Sequence, residues 1–155
     1  MLTLIQAPLK EVTPGRPEIG LSVERLMLAK RRWRGRAENG REFGFDLDRP
    51  LRHGTVFFQD EDACYVIRQV PESVLEVSLE VAPSAAAGIG WAIGNLHLDL
   101  SAEPARLLAL DEPAVRRLLE RLDVPYRPTQ AIFRPGHFSR SGRPSHELGP
   151  SHRHP

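Results

Sequence analysis

The chain has 155 residues, of which 41% are hydrophobic, and its 21 basic and 20 acidic side chains give a net charge of +1 at neutral pH. This length suits one ordinary domain or two small lobes. The small net charge provides no general field for nucleic acid or an anionic membrane, and no apolar run approaches the roughly 20 residues of a membrane-spanning helix. The sequence therefore predicts a soluble protein with neither nucleic acid nor membrane as a partner.

The first part of the chain, residues 1–72, is predicted to form a small all-β lobe, either a sandwich or a barrel. Short runs of β-forming residues alternate with turn signals about every ten residues. Arg25–Leu28 is interpreted as a strand that leads into the basic run 30–36. Such a lobe can bind partners but carries no catalytic signature, so partner docking is its expected role.

The second part, residues 73–138, is predicted to be a ferredoxin-like lobe with the order βαββαβ. Pro83 is expected to begin its first helix and Gly94-Asn95 to end it in a left-handed turn. Asp111 is expected to cap the second helix. Both helices would cover one face of an antiparallel sheet and leave the other face open for a partner. The fold class is therefore α+β.

Residues 139–155 are predicted to be a flexible tail. The segment is rich in Ser, Pro, Gly and His and contains almost no apolar residue. Burial therefore cannot offset the entropy that ordering it would cost.

His97 is the first candidate for chemistry. Leu96, Leu98 and Leu100 alternate with His97 and Asp99, which predicts a strand whose polar side exposes the imidazole. Imidazole suits the borderline metals nickel, copper and zinc, but one ring cannot hold an ion that needs four or more ligands. A symmetric dimer would bring two His97 rings together. The alternative is a solvated histidine without a function.

The tail supplies further imidazoles on a flexible tether. His152 and His154 form an H-x-H pair that we predict to bind metal, and His137 and His146 are auxiliary candidates. Few ligands and open access to solvent favour a site that exchanges its metal rather than retaining it. The alternative is a tail whose histidines have no role.

Arg32, Trp33, Arg34 and Arg36 are predicted to form a partner-binding strand, with contact to nucleic-acid phosphates as a weaker alternative. No nucleophile elbow, P-loop or zinc-protease motif is present, so the chain is not expected to be an enzyme. Cys64, a single cysteine within an apolar run, and an N-terminus without the features of a secretory signal favour the cytoplasm.

Several runs together resemble the urease accessory protein UreE, a family of nickel metallochaperones. The likeness begins in residues 25–77, with the segments Leu-Arg-His-Gly-Thr-Val-Phe at 51–57 and Val-Pro-Glu-Ser-Val-Leu-Glu-Val at 70–77. It continues in Gly-Asn-Leu-His-Leu at 94–98, which is similar to the family motif Gly-Asn-Arg-His-Leu with Leu96 in place of the arginine. A histidine-containing C-terminal tail is also a family habit.

The resemblance implies a homodimer in which His97 of each subunit binds Ni(II) at the interface. It also implies delivery of the ion to the urease apoprotein in a complex with the urease accessory GTPase. Zinc and copper remain alternative ions, because affinity follows the metal more than the site. The functional alternative is a non-metal docking or assembly module that acts through the β lobe.

Overall fold

The structure, a computed structural model, describes residues 1–138 and 146–147. The chain forms two compact units, one over Met1–Val70 and one from Pro71 onward. In the part of the chain that the structure describes, strands dominate and three helices interrupt them, which confirms the predicted α+β class. No helix among the described residues is long and apolar enough to cross a bilayer.

The first unit contains two three-stranded sheets. Its elements are β1 (Thr3–Ile5), β2 (Glu18–Val23), α1 (Arg25–Leu28), β3 (Arg32–Arg36), β4 (Glu42–Asp46), β5 (Val56–Gln59) and β6 (Cys64–Gln69). The sheets have the strand orders β1-β4-β3 and β2-β6-β5. Inward side chains from both sheets form one apolar core, in which Phe43, Phe57, Leu21 and Ile67 are fully buried.

One element of this unit was wrongly predicted. Arg25–Leu28 is a turn of helix rather than a strand, because the Leu28 and Ala29 N–H groups donate to the carbonyls four residues earlier. Arginine, leucine and methionine are all strong helix formers. Only Leu28 of the four is buried, and among the described residues this segment pairs with no strand. The unit is therefore not wholly β.

The second unit has the order strand–helix–strand–strand–helix–strand, followed by two short strands. Its elements are β7 (Glu72–Ser78), α2 (Pro83–Gly94), β8 (Leu100–Ala102), β9 (Arg106–Leu110), α3 (Pro113–Arg121), β10 (Arg127–Ala131), β11 (His137–Phe138) and β12 (His146–Glu147). They form one sheet of order β10-β7-β9-β8-β11-β12. Pairing is antiparallel except between β8 and β11, which are parallel.

Both helices begin at a proline, where the missing N–H costs nothing. The apolar stripe of α3, Val115, Leu118 and Leu119, packs with α2 against inward side chains of β7 and β9. The expected cap of α3 is wrong by one residue. Glu112 occupies the N-cap position without a side-chain capping bond, while Asp111 forms an ion pair with Arg116.

The reverse face of the sheet is not fully open, contrary to expectation. Phe133 is fully buried there against Val74 and Leu108, and Leu110 and Ala131 flank this small second core. The chain after β10 therefore returns across the face that carries no helix. A partner would meet this segment on part of that face.

Two residues of the predicted flexible tail form a strand. β12 pairs with β11, so that Phe138 lies opposite His146 and His137 opposite Glu147. The remaining residues, 139–145 and 148–155, lie outside the described part of the chain. The predicted boundaries after residues 72 and 138, with the functions attached to them, stay predictions.

Candidate metal centre

His97 lies in a turn directly after α2. The backbone N–H of His97 donates to the Gly94 carbonyl at 2.9 Å, and that of Leu96 to the Ile93 carbonyl at 3.1 Å. The left-handed residue is His97 itself, with φ 57°, whereas Asn95 keeps a helical backbone with φ −68°. The predictions of a strand at residue 97 and a left-handed stop at Gly94-Asn95 are therefore wrong. β8 begins only at Leu100.

The predicted exposure of the imidazole is nevertheless confirmed. Leu96 and Leu98 are half-buried against the core beneath the helices, while His97 between them is exposed. A left-handed backbone at a residue with a Cβ costs about 1–2 kcal/mol. Burial of the two leucine side chains offsets that cost by a similar or larger amount. Packing of the leucines thus fixes a turn that presents His97 to solvent.

A cavity of about 190 Å³ adjoins the histidine. It is lined by His97, Leu98, Asp99, Leu110, Glu112 and Val115. Among the residues that the structure describes, no group of three His, Cys, Asp or Glu side chains is placed to hold a metal ion. The described part of one chain therefore provides donors without a complete coordination sphere.

An uncharged helix face lies next to this turn along the chain. α2 contains no charged residue, and Trp91 near its end is 72% exposed. Ala87 and Gly88, one turn earlier, are exposed too. Exposed aromatic side chains are typical of protein interfaces, where tryptophan is enriched among the residues that dominate the binding energy. Ala87, Gly88 and Trp91 form what we call the α2 face.

The auxiliary histidines are brought to the sheet edge beyond β8. His137 begins β11 and His146 begins β12, two adjacent strands. The N–H of Gly136 donates to the Leu100 carbonyl at 2.9 Å, which ties this edge to the start of β8. His152 and His154 lie outside the described residues.

The basic strand β3 has an outer and an inner side. Arg32, Arg34 and Arg36 are exposed, and two of them form ion pairs across to β4, Arg32 with Asp46 at 2.7 Å and Arg36 with Glu42 at 2.6 Å. The hydrogen bond from Arg36 holds the pKa of Glu42 below its usual value. The positive charge of β3 is therefore partly compensated by acidic side chains of the adjacent strand β4.

Trp33 belongs to the core instead. The residue is 7% exposed and its ring stacks on that of Phe45 with centroids 3.8 Å apart, so it offers no face to a partner. The predicted docking strand then depends on the three arginines alone. His53 is also structural, because its Nδ1 accepts the Gln69 N–H at 3.0 Å. Cys64 is buried in β6.

Sequence reasoning did not single out three residues, namely Trp91 of the α2 face and the cavity residues Asp99 and Glu112. The exposure of Trp91 was not anticipated, although an uncharged helix that carries an aromatic residue could have signalled it. Asp99 shares the polar alternation of His97, so its proximity was visible in the pattern. Glu112 follows His97 by 15 residues and reaches the cavity through the packing of α3. No local pattern encodes that approach.

Comparison with known proteins gives a consistent family. A family model described as the C-terminal domain of the UreE urease accessory protein matches residues 72–154. The urease accessory protein UreE of Beijerinckia indica subsp. indica is 31% identical over 124 residues, which cover 76% of this chain and 70% of that protein. The protein of the same name from Geobacillus kaustophilus is 30% identical over 118 residues, 72% of this chain and 79% of its own. That of Chelativorans sp. is 30% identical over 129 residues, 81% of each chain.

Proposed function

This chain belongs to the urease accessory protein UreE family, and from that premise we propose that it is a metallochaperone that binds Ni(II) and delivers it for assembly of the urease metallocentre. Membership confirms the resemblance found in the sequence. The family is one of accessory proteins, so the chain takes part in urease assembly and is not an enzyme. Nickel is its cargo.

One observation carries the proposal: His97 is exposed on a turn fixed by half-buried leucines, next along the chain to the helix that carries the α2 face. One imidazole binds nickel weakly, but a symmetric dimer contributes two from the same residue. The second unit is proposed as a ferredoxin-like lobe that dimerises through the α2 face. Trp91 would be the anchor of the interface, and the two His97 rings would approach the two-fold axis beside it.

The direction of the last strands supports a contribution from His152 and His154. β11 runs parallel to β8, away from His97, and β12 runs back in the opposite direction. β12 lies two strand spacings, each of about 4.8 Å, to the side of β8. Along the strand direction, Glu147 at the end of β12 is about four residues from His97. His152 follows Glu147 by five positions, a stretch that spans at most about 17 Å when extended, which is comparable with that separation. The tail is therefore proposed to return its imidazoles to the ion.

The proposed partners are those of urease assembly. The ion would pass to the urease apoprotein in a complex with the urease accessory GTPase, in the cytoplasm. The first unit, through the exposed Arg32, Arg34 and Arg36, is proposed as the docking lobe. An acidic surface would be its complement, since charge complementarity steers association. The His97 site would also accept Zn(II) or Cu(II).

The second candidate is a docking module that binds no metal. The arginine row on β3 favours it, because three exposed guanidinium groups project from one side of one strand. This candidate assigns no function to His97. The two candidates therefore differ in what removal of that imidazole changes.

Titration of the full chain with Ni(II) chloride separates the candidates. Calorimetry of the wild type is expected to give one high-affinity ion per dimer, and His97→Ala should remove that step. Asn95→Ala, an exposed change in the same turn, is the matched control and should leave the isotherm unaltered. Equal affinity and stoichiometry in the wild type and His97→Ala would contradict the nickel function and favour the docking module.

A further inference from the structure

The cavity beside His97 is acidic as well as imidazole-lined. Asp99 reaches it from the segment before β8, and Glu112 from the residue before α3. The other lining residues, Leu98, Leu110 and Val115, are apolar, and no lysine or arginine contributes. Two carboxylates beside apolar side chains produce a strong local electrostatic field, because cavity walls of low dielectric constant concentrate that field. The cavity therefore favours cations.

Both carboxylates are uncommitted within the described residues. Neither Asp99 nor Glu112 takes part in a side-chain hydrogen bond or ion pair there. Glu112 occupies the N-cap position of α3, where an acidic side chain usually accepts a backbone N–H, yet it forms no such bond. Asp111 next to it is already paired with Arg116. The two free acids of this region are thus those that line the cavity.

Direct coordination by all three groups does not fit the geometry. His97, Asp99 and Glu112 are not placed to hold one ion together. The cavity of about 190 Å³ has room for several waters, each of which occupies about 30 Å³ of the liquid. Water bound to a divalent ion is polarised and donates strong hydrogen bonds to carboxylates. An ion held by His97 can therefore be linked to both acids through its waters.

We infer that Asp99 and Glu112 form an outer acidic shell around the ion bound by His97. The ligand is a hydrated divalent transition-metal ion. The carboxylates accept hydrogen bonds from its waters, offset its charge and attract it from solution. This inference rests on the proposed function, since it takes His97 as the group that contacts nickel. It adds two residues that determine affinity and the rate of capture.

The test uses the full chain and Ni(II) chloride, with Asp99→Asn, Glu112→Gln and the double variant. The control is Glu80→Gln, an exposed acid that precedes α2 and is separated from His97 by the length of that 12-residue helix, about 18 Å. The double variant is expected to raise the Kd for nickel about tenfold or more, as loss of outer-shell partners does in other metal sites. Stoichiometry and the visible ligand-field bands of bound nickel should not change.

Each outcome has a distinct meaning. A double variant that binds as tightly as Glu80→Gln, while His97→Ala loses the high-affinity step, overturns the acidic shell and leaves the proposed function intact. A shift of the ligand-field bands in the double variant overturns the outer placement, because the carboxylates would then contact the ion. Wild-type affinity in His97→Ala overturns both proposals. Should the double variant unfold by circular dichroism, the two single variants decide, each with a smaller rise in Kd expected.

Discussion

Arg116 binds both carboxylate oxygens of Asp111, its Nε donating to one at 2.6 Å and a terminal nitrogen to the other at 2.7 Å. The hydrogen bonds from Arg116 hold the pKa of Asp111 below its usual value. The pair joins the residue after β9 to the first turn of α3. It therefore fixes the segment from which Glu112 reaches the cavity beside His97.

Removal of this carboxylate should make stability less sensitive to acid. Because the pKa of Asp111 is lowered by folding, its contribution is present above the unfolded-state value of about 3.9 and is lost as the pH falls through the folded-state value. Asp111→Asn is expected to unfold at lower urea than the wild type at neutral pH, with the difference closing below about pH 4. Urea denaturation at several pH values measures it. A difference that persists undiminished in acid would contradict the ion pair as its source.

Charge at the centre of the α2 face should dissociate the proposed dimer. Trp91→Glu is expected to raise the dimer dissociation constant about 100-fold, because buried aromatic anchors dominate interface energy. Leu122→Glu is the control, since Leu122 is 45% exposed and belongs to the end of α3. Sedimentation equilibrium gives both constants. If the dimer dissociation constant of Trp91→Glu equals that of the wild type, the dimer interface lies elsewhere.

Phe133 should be essential to the second unit. Its ring is fully buried on the reverse face against Val74 and Leu108. Phe133→Ala is expected to lower the free energy of unfolding by about 3–5 kcal/mol, the usual cost of removing a buried phenyl ring. Denaturant unfolding followed by circular dichroism measures this change. Leu122→Ala is the exposed comparison and should shift the midpoint little.

The last residues of the chain are expected to contribute to nickel affinity but not to dimerisation. Truncation after Glu147 keeps β12 and removes His152 and His154, whereas truncation after Ser145 removes the strand as well. Both are expected to lower nickel affinity or stoichiometry in calorimetry, and both should remain dimeric in sedimentation. An isotherm identical to that of the full chain would show that the tail imidazoles do not bind the ion.

Reversal of charge on β3 should weaken docking. Arg34 lies between the two ion pairs of that strand and opposite Gly44 of β4. Arg34→Glu is expected to reduce binding to the urease apoprotein complex about tenfold, mainly through slower association. Trp33→Phe, a change within the core, is the control and should affect stability alone. Binding of Arg34→Glu at the wild-type rate, measured by surface plasmon resonance, would remove this strand from the interface.

Elements with strong local signals were predictable. α2 begins at Pro83 and ends at Gly94, as the sequence indicates. The turn at His97 was not predictable, because alternating leucines also fit a strand. The backbone was decided by the packing of Leu96 and Leu98 beneath the helices. Tertiary contact likewise decided the burial of Trp33 and Phe133 and the approach of Glu112.

The main-chain conformation at residue 97 has an evolutionary consequence. Glycine adopts φ 57° without the steric penalty that a Cβ incurs, so at this position the smallest residue would suit the fold better than histidine does. Selection for thermal stability alone would therefore favour His97→Gly. Under the proposed function, an imidazole at this position is a trade-off, in which binding of the ion comes at the expense of some folding stability.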